Sequence, residues 1–139
     1  MNSNTLVIQS YIAAENDIEL QLNLNSQIKI NQMNKSSDDV SKIHDKYGAE
    51  EEYIRNQMDL VSSDKTSSEY QQLMSELNAL EQEEDEKVEQ IEKKQSIAES
   101  KIDQENSLLE TRYEAMKNDR QGFEDARTKD IEQTFGYFQ

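Results

Sequence analysis

Residues 88–123 read VEQIEKKQSIAESKIDQENSLLETRYEAMKNDRQGF, and a mostly apolar line recurs through them at every seventh position. The members of this line are Val88, Gln95, Ile102, Leu109, Met116 and Phe123. A seven-residue apolar period is typical of an α-helix that packs along one seam against another helix. The whole chain contains no proline, so no residue of that type interrupts the pattern. The stretch therefore predicts one long, packed helix.

A strong two-stranded coiled coil would need a second apolar line, three residues further along. That companion line is polar over half of its length, since it consists of Ile91, Ala98, Glu105, Arg112, Asp119 and Ala126. The predicted seam is thus one-sided, sufficient to lay the long helix against another helix but too weak to hold two rods alone. The residues that we expect to form the intramolecular seam are Val88, Ile91, Ile102, Leu109, Met116 and Phe123.

Composition narrows the fold class. The 139 residues are 33% hydrophobic and 32% charged, with three glycines and a net charge of −15. Low hydrophobicity with high net charge is also typical of disorder, but the regular seam argues against it. Few turn-forming residues argue against β-sandwiches and α/β folds. We predict an all-α fold, an elongated antiparallel helical hairpin or coiled coil with one long C-terminal helix, as a single domain over residues 1–139.

Three segments could interrupt the helices. The longest polar stretch, residues 62–68, is predicted to be the main turn, and Thr66 with Glu69 resembles a capping box. This divides the chain into a first arm over residues 1–61 and a long second helix over residues 69–139. Within the first arm, residues 34–37 and 47–48 are possible breaks, the second through a left-handed glycine cap at Gly48. Which of the three is the main turn stays open at the level of sequence.

Residues 18–30 carry two conflicting patterns. Apolar residues alternate there with polar ones, as in a β-strand, with Asn25-Ser26 as a candidate hairpin turn. Glu, Gln and Leu dominate the segment, and no other strand candidate exists to extend such a hairpin, so we favour helix. The alternating residues are Ile18, Leu20, Leu22, Leu24, Ile28 and Ile30.

Catalytic and cofactor-binding patterns are missing from the sequence. His44 is the only histidine and there is no cysteine, which excludes a Cys–His pair and any Glu-x-x-His di-iron set. The three glycines are scattered, so no loop can cradle a phosphate. The acidic residues around Gly48 do not follow the calcium-loop pattern. We therefore predict no enzymatic activity, no cofactor and no metal site.

The charge balance of 30 acidic and 15 basic residues also excludes partners. Proteins bind nucleic acids and anionic membrane surfaces through Lys and Arg, whereas the net charge of this chain is negative. No apolar run is long enough to span a membrane, and the first basic residue is Lys29, unlike a Sec signal. We expect a chain that is cytoplasmic or exported by a leaderless route, in either case without membrane insertion.

The two ends of the chain are its most apolar parts. If the chain folds back at 62–68, both ends meet, and the second arm is longer by about 12 residues, or roughly 18 Å of helix. The aromatic residues near the end of the second arm could pack on the first helix of the same chain or against another subunit, and an overhang favours the second alternative. The residues that we expect to make assembly contacts are Leu6, Val7, Ile8, Tyr11, Ile12, Ile131, Phe135, Tyr137 and Phe138.

This layout resembles the helical axial proteins exported by flagellar and type III secretion systems. The resemblance lies in the uncharged opening Met1-Asn2-Ser3-Asn4-Thr5-Leu6-Val7-Ile8, the aromatic close Phe135-Gly136-Tyr137-Phe138, and the absence of Cys and Pro. It implies terminal helices that pair and polymerise. We accordingly predict a structural, self-assembling coiled-coil subunit of a homo-oligomer or filament. The alternative is an acidic adaptor, chaperone or scaffolding protein that binds another, helical protein.

Overall fold

The structure, a computed structural model, describes residues 3–137 and consists there of two α-helices with one connection. Helix α1 spans Ser3–Leu60 and helix α2 spans Ser68–Tyr137, and no strand occurs between residues 3 and 137. The helices pack as a hairpin, which confirms the predicted all-α hairpin fold.

The hairpin divides into two compact units. The first, here called the terminal unit, comprises residues 1–29 and 100–139, and the second, the turn unit, comprises residues 30–99. In the terminal unit, the Asn4 side chain bonds to Asp130 and the Lys29 side chain bonds to Asp103. Because the earlier of these two α1 residues, Asn4, pairs with the later of the two α2 residues, Asp130, the helices are antiparallel within this unit.

The connection in the turn unit comprises residues 61–67, one residue earlier than the turn expected from sequence. Asp64 accepts two hydrogen bonds from Thr66, one from the backbone NH and one from the hydroxyl, which lower the pKa of its carboxyl group. Ser67 then caps α2, because its Oγ accepts the backbone NH of Tyr70 at 3.1 Å. The capping residue is therefore Ser67, and the Thr66–Glu69 capping box is wrong.

The core of the described residues is sparse and partly polar. Buried residues face the opposite helix at alternating spacings of three and four, as in other helix pairs. The buried polar side chains are Glu15, Asn25 and Glu51. The buried apolar side chains are Ile8, Ile18, Tyr47, Ile54, Met58 and Ile102.

Residues 18–30 are helical throughout, so the strand alternative is wrong. Ile18 is buried and Leu22 is half-buried against α2, whereas Leu20 and Leu24 are exposed on the other side of α1. Each pair has the four-residue spacing of one helix face. Two apolar stripes on opposite faces, offset by two residues, produce the same sequence alternation as a strand.

The two possible breaks in the first arm are also wrong, because α1 continues through residues 34–37 and 47–48. Ser36 lies inside the helix and its hydroxyl donates to Gln95 Oε1 at 2.7 Å. Gly48 does not have a positive φ, so it is not a left-handed cap. Packing against α2 thus keeps these two segments helical, although their helix propensity is low.

Gly48→Ala is expected to raise the free energy of unfolding by about 0.5–1 kcal/mol, because glycine in a helix interior loses more backbone entropy than alanine. No heavy atom lies within 4 Å of the position that the new Cβ would take. The measurement is urea unfolding followed by circular dichroism. The matched control is Ala49→Gly at the exposed neighbouring position, which should lower stability by a similar amount. A Gly48→Ala chain less stable than wild type would contradict a regular helix at this residue.

Candidate functional site

The predicted seam residues of the terminal unit all lie between the two helices. Ile102 is buried, and Leu109, Met116 and Phe123 are half-buried. The ring of Phe123 stacks on that of Tyr11, with 5.8 Å between centroids and 30° between planes. The two remaining predicted seam residues belong to the turn unit, where Val88 and Ile91 are half-buried.

Three positions of the companion line differ from those predicted from the sequence. Glu105, Arg112 and Asp119 are exposed, and the half-buried positions are each one residue later, at Asn106, Tyr113 and Arg120. The three positions are still seven residues apart, but each stands four residues after a member of the first line instead of three, and both spacings place side chains on one helix face. The side chains at these three positions are polar, and all three bind polar side chains of α1.

Asn25 and Asn106 form a buried amide pair. Asn25 is only 3% exposed, and its Nδ2 donates to Asn106 Oδ1 at 2.9 Å. Gln21 Nε2 donates to Asn25 Oδ1 at the same distance. A buried amide pair is satisfied in only one alignment of two helices, so it fixes their register. Sequence reasoning missed Asn25, although it stands seven residues after the buried Ile18.

Glu15 and Arg120 form a short ion pair between the two helices of the terminal unit. Glu15 is 5% exposed, and its Oε2 accepts Arg120 Nε at 2.7 Å. Arg120 also donates through Nη1 to Glu124 Oε1 at 2.8 Å, and the two carboxylates raise the pKa of the guanidinium. Nearby, Tyr113 donates its hydroxyl to Glu19 Oε1 at 3.0 Å, which raises the pKa of the phenol. Glu15 seemed to interrupt an apolar face in the sequence, but it pairs with α2.

The expected assembly residues divide into two groups. Ile8 is buried and Tyr11 and Val7 are half-buried, so packing within the chain already uses much of their surface. The rest of the described group stays exposed and is here called the end patch, Leu6, Ile12, Ile131 and Phe135. Tyr137 ends α2 but its side chain lies outside the description, and Phe138 lies outside the described residues.

Within the terminal unit, the last residues of α2 run past the start of the described part of α1. Asn4 is already paired with Asp130, and α1 is described from Ser3. Every described side chain from residue 128 to 136 is exposed. Helix α2 has 70 residues against 58 in α1. Phe135, at 68% exposure, is the most exposed member of the end patch.

The turn unit contains a buried acidic pair that sequence reasoning did not single out. Glu51 is 7% exposed, and its burial together with the neighbouring Glu84 carboxyl raises the pKa of Glu51. Glu84 Oε1 lies 2.9 Å from His44 Nδ1, and this bond lowers the pKa of Glu84. Arg55 binds Glu81 at 3.0 Å, across the interhelical contact of this unit. The pair is a candidate for pH-dependent stability.

No protein family, curated protein or solved structure matches this chain. Within residues 3–137, no three His, Asp or Glu side chains come together in a way that could hold a metal ion. The described helices also contain no stretch long and apolar enough to cross a membrane. Three features of the chain bear on its function: the end patch, the polar contacts between the helices and the distribution of charge.

Proposed function

We propose that this chain is a structural subunit that self-assembles into an oligomer or filament through its end patch. The observation that carries the proposal is the exposure of Ile131 and Phe135 on the part of α2 that runs past Asn4. Apolar side chains on a helix end that no described part of the chain covers are typical of a surface that another subunit buries. The layout also resembles that of the axial proteins of flagellar and type III secretion systems.

The charge distribution supports contact between copies at this end. Residues 3–14 of α1 contain no charged residue. Residues 30–99 contain 18 acidic and 8 basic residues, so the turn unit contributes −10 of the net −15. Repulsion between two copies is therefore concentrated in the turn unit, and the α1 part of the end patch can be covered by a second copy without burying carboxylates of its own segment.

Ile131→Ser with Phe135→Ser is expected to weaken assembly by about 100-fold or more, since burying each apolar side chain contributes about 1.5–3 kcal/mol. The measurements are light scattering across protein concentration and electron microscopy of the purified chain. Deletion of residues 131–139 should have the same effect and leave a helical monomer or small oligomer. Leu60→Ser is the matched control, because Leu60 is 78% exposed but lies at the turn.

Two results would contradict the proposal. One is an unchanged assembly after the double substitution or the deletion. The other is a wild-type chain that stays a monomer or dimer at every concentration and salt. The second result would favour the alternative function, an acidic adaptor, chaperone or scaffolding protein whose turn unit attracts a basic partner through its charge of −10.

A further inference from the structure

Helix α1 has a second apolar stripe, on the face away from α2. Ala13 and Leu20 stand two residues before the seam positions Glu15 and Leu22, and two residues turn an α-helix by about 200°. Leu24 and Ile28 continue the stripe at four-residue spacing. The outer stripe is defined here as Ala13, Leu20, Leu24 and Ile28, all exposed, in line with Leu6 of the end patch.

The surroundings of the outer stripe are almost free of charge. Residues 3–29 contain four charged residues, and three of them bind α2. These three are Glu15 with Arg120, Glu19 with Tyr113, and Lys29 with Asp103. Asp17 is the remaining charged residue of the segment, and it is exposed. The neighbours of the stripe are uncharged side chains, including Gln9, Ser10, Asn16 and Gln27.

We propose that the outer stripe binds the outer stripe of a second copy of this chain, giving a two-fold dimer through α1. This goes beyond the end-patch contact and does not depend on it.

The distribution of charge favours a second copy of this chain, over other partners, as the surface that covers the outer stripe. A basic partner would find only one carboxylate, that of Asp17, along the stripe, whereas a second copy presents the same largely uncharged apolar face, as a two-fold interface requires. Helix α2 of the terminal unit does not offer such a face, because residues 100–139 contain 9 acidic and 6 basic residues. An anionic lipid surface is disfavoured by the net charge of −15.

The size of the stripe sets the expected affinity. From Ala13 to Ile28 the stripe is about 23 Å long at 1.5 Å per residue. A single helix pair of that length lies at the low end of specific interfaces, so the dimer should dissociate with a Kd on the order of 10 µM. Burial of the exposed leucines on both copies would supply most of the affinity.

The experiment uses the full-length chain with Ile131→Ser and Phe135→Ser, so that larger assemblies do not obscure a dimer. Sedimentation velocity from about 1 µM to 500 µM should show a monomer–dimer equilibrium. Adding Leu20→Gln and Leu24→Gln should weaken dimerisation by about 100-fold or more, without changing net charge. Leu108→Gln is the matched control, because Leu108 is 66% exposed on α2 of the same unit. Urea unfolding checks that each variant keeps its fold.

Three results would overturn the inference. The chain with the end-patch substitutions could stay a monomer at every concentration, or its dimer could survive Leu20→Gln and Leu24→Gln. The third is that Leu108→Gln weakens dimerisation as much as the two stripe substitutions do. If the stripe variant instead stops binding to phosphatidylcholine vesicles while its self-association is unchanged, the occupant is a lipid surface and the inference is also wrong. A wild-type chain that forms stripe-dependent dimers and nothing larger would contradict the proposed filament function alone.

Discussion

Arg120→Met is expected to lower the urea midpoint of unfolding by about 1 M, because a buried carboxylate that loses its partner typically costs 3 kcal/mol or more. The carboxylate in question is Glu15, which is 5% exposed and bonds to Arg120 Nε at 2.7 Å. Methionine fills a similar volume but cannot donate a hydrogen bond. The measurement is urea unfolding at pH 7 followed by circular dichroism.

A double substitution tests whether the loss comes from the unpaired charge. Glu15→Leu with Arg120→Met removes both charges and replaces them with apolar side chains, and such replacements of buried pairs are often neutral or stabilising. The double variant should therefore recover most of the midpoint lost by Arg120→Met. Arg112→Met is the matched control, since Arg112 is exposed on the same helix and should change stability by less than about 0.5 kcal/mol.

Equal losses in the single and double variants would contradict this account, because the defect would then come from packing at position 120. A large loss in Arg112→Met would contradict it as well, since net charge alone would be responsible. The comparison matters because the seam of the terminal unit is short of apolar contacts, so its polar pairs set the alignment of α1 on α2.

The fold class could be predicted from the sequence because two global features agree. The line from Val88 to Phe123 has one period over 36 residues, and the absence of proline leaves long helices uninterrupted. The turn was predicted to within one residue because residues 61–67 combine low helix propensity with side chains that bind their own backbone, as Asp64 and Ser67 do.

Local signals were less reliable where packing decides the outcome. Ser36 and Gly48 are poor helix formers, and each was read as a possible break, but both lie in the continuous α1. Propensity differences of about 1 kcal/mol per residue are small beside the interhelical contacts of a long helix. The alternation from Ile18 to Ile30 was ambiguous for another reason, since two helical stripes interleave there.

The polar part of the seam was missed because the companion line was counted three residues after the first line. The half-buried positions Asn106, Tyr113 and Arg120 stand four residues after it, and their polar character gave no apolar signal to mark that offset. Their partners on α1, among them Glu15 and Asn25, are 81 or more residues away in sequence. A single sequence holds no sign that a glutamate in an apolar stretch has an arginine partner at that separation.

Glu51→Gln and Glu84→Gln are expected to change stability in opposite directions, although each removes one negative charge. Burial and the Glu84 carboxyl raise the pKa of Glu51, so above its ordinary pKa of 4.5 this group disfavours folding. Glu51→Gln should then stabilise the fold by about 1 kcal/mol, since the amide can donate to Glu84. The bond with His44 lowers the pKa of Glu84, so Glu84→Gln should destabilise the fold by about 1 kcal/mol.

The pH dependence distinguishes these effects from a general relief of charge. An acid whose pKa is raised on folding weakens the fold only above its ordinary pKa of 4.5, so the gain from Glu51→Gln should disappear as the pH falls below that value. An acid whose pKa is lowered on folding stabilises above 4.5 and loses that contribution as the pH falls through the folded pKa, so the loss from Glu84→Gln should shrink in acid. Glu52→Gln, at an exposed neighbour of Glu51, is the matched control and measures charge relief alone. If all three variants shift urea unfolding alike between pH 4 and 8, the buried pair is not coupled to folding, and the acid sensitivity of this chain comes from its overall charge of −15.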